Sequence, residues 1–117
     1  MTTVQATKSR FSRPATASRH ADTLTASVLV NGNRLFHLSR SLNIILRFEG
    51  GLCVCEHKPL GILSHAPTAE EAFGAFQHEF IACWDGIARR DDADLTADAR
   101  SLKKRLLAAV ESIQQLS

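Results

Sequence analysis

The sequence predicts an α+β fold: an antiparallel sheet of three to four strands, a long helix packed on one face, and a second, C-terminal helix. Three observations predict it. Two glycine turns, Asn31-Gly32-Asn33 and Glu49-Gly50-Gly51, separate runs rich in β-branched and apolar residues. Thr68 and Glu71 stand three residues apart, the spacing of a helix capping box. An aromatic stripe at helical spacing follows them.

The strands come first. Leu24 to Val30 is rich in β-branched residues and ends at Asn31-Gly32. Asn-Gly favours a type I′ hairpin turn, in which both central residues take positive φ. Arg34 to Leu38 then reads as a returning strand, Asn43 to Phe48 as a third and Leu52 to His57 as a fourth, which Pro59 ends. Leu60 to Leu63 reads as a short extension. A two-residue Gly50-Gly51 loop pairs Phe48 with Cys53, Leu46 with Cys55 and Ile44 with His57. Directly opposed residues share a face, so Cys53 and Cys55 fall on the apolar face with Ile44, Leu46 and Phe48. That is the face a helix covers.

The first helix starts at Pro67-Thr68-Ala69-Glu70-Glu71. The Thr68 hydroxyl accepts the amide of residue 71, the Glu71 carboxylate reaches back, and both glutamates complement the helix dipole. Phe73, Phe76, Phe80, Trp84 and Ile87 fall within an arc of roughly 80° at about 100° per residue. Cys83 borders this stripe and His78 points nearly opposite. Arg89 to Asp94 is a polar connector. A second helix begins near Leu95-Thr96, capped by Asp94 or Thr96, with Leu102, Leu106, Ala109, Val110, Ile113 and Leu116 as its apolar face. Leu107 lies off that stripe.

Composition bounds the function classes. The chain has 117 residues and a net charge of +2. Its 44% hydrophobic content suits one packed domain, placed at residues 23–117. The first 20 residues hold Lys8, Arg10, Arg13 and Arg19 and no acid. Residues 1–22 have few large apolar groups, so they read as a disordered basic tail. The absence of acids also resembles an organellar transit peptide, but a solvated tail is the expected reading. The rest of the chain is mildly acidic, which argues against an electrostatic nucleic-acid footprint beyond weak contact by the tail. No apolar run approaches the length needed to cross a bilayer. Three cysteines, an odd number with no secretory signal, point to reduced thiols in the cytoplasm.

Cys53-x-Cys55-x-His57 is the constellation that attracts chemistry. Period-2 alternation puts its three side chains on one strand face, and Cys and His ligate zinc, with His65 a fourth candidate. The spacing is not that of a zinc knuckle, and the register buries both thiols, where Cys acts as a small hydrophobe. A Cys55–His57 or Cys55–His65 nucleophilic pair needs a low-pKa, accessible thiol. Structural filling is therefore the expected role, and a small metal-binding or thiol-dependent enzyme centred on these residues is the alternative. Asp91, Asp92, Asp94 and Asp98 lack the glycine and distal glutamate of an EF-hand loop and read as linker and cap. Arg100, Lys103, Lys104 and Arg105 read as a solvated helix face. No catalytic residue, cofactor or metal is assigned.

The stretch from Gly51 to about Ile87 resembles the HicB-like antitoxin family. The resemblance is carried by Gly51-Leu52-Cys53-Val54-Cys55-Glu56-His57-Lys58-Pro59-Leu60-Gly61-Ile62 and then Ala66-Pro67-Thr68-Ala69-Glu70-Glu71-Ala72. Ala66-Pro67 replaces the family's glycine before the threonine, and Lys58-Pro59-Leu60 alters its Pro-Glu-Leu turn. The resemblance implies a sheet of three or four strands with one helix on it, like a truncated ribonuclease-H-like core without its catalytic acids. It also implies a non-enzymatic binding protein that contacts a small toxin-like protein or a second copy of itself. Many family members carry a C-terminal DNA-binding module, and the single amphipathic helix expected here departs from that.

Overall fold

The structure, a computed structural model, describes residues 22–116. The expected tail, with its four basic residues and His20, lies outside the described residues apart from Asp22. The order of elements is β1 (Asp22–Asn31), β2 (Arg34–Glu49), β3 (Leu52–His57), a 3-10 turn (Lys58–Leu60), β4 (Ile62–Ala66) and α1 (Ala69–Cys83). A π-helical turn (Trp84–Ala88), a second 3-10 turn (Asp92–Asp94), α2 (Ala97–Ala109) and β5 (Val110–Gln115) complete it. The fold is α+β, with a five-stranded antiparallel sheet in the order β1-β2-β3-β4 and β5 paired to β2.

The second hairpin has the register expected from its glycine turn. Glu49 pairs with Leu52, Phe48 with Cys53 and Leu46 with Cys55. Gly50 and Gly51 both take positive φ, as the turn requires. The first hairpin differs from expectation. Asn31 pairs with Arg34, so Gly32 and Asn33 are the central residues, and only Gly32 has positive φ. Positive φ at the first central residue alone is the pattern of a type II′ turn, which takes Gly there at no steric cost.

Two strand boundaries also differ. Arg34–Leu38 and Asn43–Phe48 are one strand, β2, because β1 pairs along both parts. Between the pairs Ala26–Leu42 and Val28–His37, Ser27 alone faces Leu38–Ser41, so β2 bulges there rather than ending. Gly61, at φ 66, closes the 3-10 turn and sends Ile62–Ala66 back as a full strand rather than a short extension.

The largest correction lies at the C-terminus. The second helix stops at Ala109, and Val110–Gln115 pairs with Arg34–Leu38 of β2 instead of continuing the helix. The apolar spacing of Val110, Ile113 and Leu116 fits a helix. The otherwise unpaired edge of β2 offers those six residues a ladder of main-chain hydrogen bonds, and tertiary context overrides the local pattern.

The core lies between one sheet face and the two helices. Leu24, Ala26, Leu29, Ile44, Leu46, Cys53 and Cys55 bury the sheet side, and Phe73, Phe76 and Phe80 bury the face of α1. Phe36 joins them: its ring meets Phe80 edge-on at 6.1 Å and Trp84 at 5.8 Å. The Thr68 hydroxyl caps α1 by accepting the Glu71 amide at 3.2 Å, and it donates to the Glu71 carboxylate at 3.0 Å. Thr96 caps α2 through the Ala99 amide. No described helix is long and apolar enough to cross a membrane.

Candidate functional site

Strand alternation does place Cys53, Cys55 and His57 on one face, and that face lies under α1. Both thiols are fully buried. Burial pushes the Cys55 thiol up to about 12 and also raises Cys53. A nucleophilic or metal-binding thiol needs the opposite shift. His57 turns its ring to the backbone: Nδ1–H donates to the Asn43 carbonyl oxygen at 3.0 Å, leaving Nε2 as the ring's remaining hydrogen-bonding atom. His65 is on β4 opposite Val54, on the other face of the sheet from the thiols, so the drawn fourth ligand does not converge with them. Among the described residues no three His, Cys, Asp or Glu side chains form a metal-binding group.

The polar helix residues also have definite partners. Lys103 bonds the Asp92 carboxylate at 2.9 Å and so ties the connector to α2. Arg105 donates to the Pro59 carbonyl at 2.6 Å and to the Ser101 hydroxyl at 3.1 Å. Two of the four residues read as a solvated basic face are therefore staples between elements.

Two surfaces remain. The first is the sheet face away from the helices. Glu56 opposes Leu63, and Val54 opposes His65, so these side chains share that face with Leu52. Leu52 is 37% exposed and Leu63 47% exposed, and buried Val54 lies on the diagonal between them. Arg47 pairs with Glu56 at 2.7 Å and Glu49 at 2.8 Å beside this strip. No described strand covers the outer edge of β4.

The second surface is a cleft of about 630 Å³ on the helix side. β2 supplies Arg40, Ser41 and Leu42 from its bulge, and the end of β3 with the following turn supplies His57, Pro59 and Leu60. Arg105, Ala108 and Ala109 of α2 close it. Sequence reading gave no sign of it. Arg40 lies in a segment read as a break between strands, and the three contributing segments are distant in the chain.

The chain matches no family model, no curated protein and no solved structure in comparisons with known proteins.

Proposed function

We propose that this chain is a non-enzymatic binding protein that acts through protein–protein contact on the open face of its sheet. The observation that carries the reading is the pair of exposed leucines, Leu52 and Leu63, on either side of buried Val54, beside an edge of β4 that no described strand covers. One sheet face has two helices packed against the core it forms. The other face offers large apolar side chains flanked by the Arg47–Glu56 pair, an apolar centre with a polar rim. The outer edge of β4, which no described strand covers, adds main-chain hydrogen-bonding groups that a partner strand can use. The resemblance of the stretch from Gly51 to about Ile87 to the HicB-like antitoxin family points to the same class of function, with a small, basic, toxin-like protein or a second copy as the partner.

The test is capture from the native host with the full chain and with a Leu52→Glu, Leu63→Glu variant, whose fold is checked by circular dichroism. A partner retained by the wild type and lost by the folded variant supports the reading. Equal recovery by both, or a wild-type chain that stays monomeric and captures nothing, overturns it.

A further inference from the structure

We infer that the cleft between the β2 bulge and α2 binds a small organic anion: an oxyanion, carboxylate or phosphate, on a compact apolar body. Sheet topology builds this cleft. β3 and β5 both pair with the same edge of β2, at Ile45–Glu49 and Arg34–Leu38 respectively. Neither covers the stretch between, and Ser39–Ser41 has no strand partner on β1 either. The gap in the ladder is roofed by the last turn of α2, which leaves a concave space where a continuous sheet would be flat.

The volume, about 630 Å³, is that of a small-molecule site. Its chemistry selects the ligand class. Arg40, Arg105 and His57 line the space and no Asp or Glu does. Arg105 is held in place by Pro59 and Ser101, so its planar fork is pre-organised, and it has more N–H donors than these contacts use. Arg40 forms no ion pair among the described residues. Guanidinium groups bind carboxylate and phosphate through paired N–H donors. Leu42, Leu60 and the two alanines supply an apolar wall for the body that carries the anion. The site lies on the helix side, away from the open sheet face, so its occupancy does not depend on the protein–protein reading.

The experiment is a titration of the uniformly ¹⁵N-labelled full chain with phenyl phosphate, benzoate and the uncharged benzyl alcohol, read by amide chemical shifts. The expected result is saturable, one-to-one shifts for the two anions at residues 40–42, 57–60 and 105–109, with benzyl alcohol about tenfold weaker or worse. Their relative affinity distinguishes a phosphate site from a carboxylate site. Arg40→Gln, an exposed change, should weaken the anions about tenfold, and Ala108→Trp, which fills the cleft, should abolish binding. The inference is overturned by shifts centred elsewhere, by benzyl alcohol binding as well as the anions, by affinity unchanged in both variants, or by no saturable shift at millimolar concentrations.

Discussion

The side-chain carbonyl oxygen of Gln77 accepts the main-chain amide of Val30 at 2.8 Å, joining α1 to β1 across 47 residues of chain. Gln77 is buried, and its partner belongs to a strand at the margin of the sheet. A helix side chain thus satisfies an amide that β2 does not. Replacing Gln77 with the similarly shaped Met should lower stability by about 1 kcal/mol. For a domain of this size that is a fall in Tm of roughly 4–8 °C. Calorimetry of the two chains measures it, and an unchanged Tm would show that the contact contributes nothing net.

The thiols should divide by burial. Cys83 is only partly buried, whereas Cys53 and Cys55 are sealed beneath α1. Burial raises all three, and nearby Glu79 adds to the rise at Cys83. Ellman's reagent on the native chain near neutral pH should label Cys83 slowly and the other two only after denaturant is added. Rapid native labelling of Cys55, followed by mass spectrometry, would reopen the thiol-chemistry alternative.

Arg34 grips Asp85 with two hydrogen bonds, at 2.7 and 2.9 Å, and so ties the start of β2 to the turn after α1. The hydrogen bonds from Arg34 hold the Asp85 carboxyl below its ordinary value of 3.8. A carboxyl lowered in the folded state stabilises the fold above its unfolded pKa, and that contribution is lost as pH falls through the folded value. The pair is substantially exposed, so solvent screens it. Asp85→Asn should cost about 0.5 kcal/mol at neutral pH, and the difference should shrink as pH falls below about 4. Urea midpoints of both chains across that range decide it. A cost independent of pH would assign the effect to packing.

The strand assignment of the last residues has its own test. Removing residues 110–117 uncovers the Arg34–Leu38 edge of β2 and frees the partly buried Val110. The truncated chain should lose about 2 kcal/mol and should self-associate, since an exposed edge templates pairing with other chains. Urea unfolding and sedimentation measure the two effects. In the full chain, a cross-strand nuclear Overhauser contact between Phe36 and Ile113 should be visible, and a helical pattern of contacts over 110–115 would contradict the strand.

Local chemistry was enough to place the second hairpin, its register and both helix starts. Gly50-Gly51, Thr68 with Glu71, and Thr96 act through φ preference and short-range hydrogen bonds, which depend on neighbours in the chain. The same register puts Cys53 and Cys55 on the core face, and the spacing of Phe73, Phe76 and Phe80 marks the face of α1 that seals them. Tertiary structure decided what depends on distant partners. Ser39–Leu42 falls between the two strands that local pattern predicts, yet β1 continues alongside and makes Leu38–Ser41 a bulge in one strand. Val110–Gln115 has helical apolar spacing, yet the empty edge of β2 draws it into the sheet. Arg40, His57 and Arg105 carry no shared motif, because the cleft they line exists only where two strands leave a gap along a third. Hydrogen-bonding demand along an unpaired strand edge is a long-range property, and no window of sequence contains it.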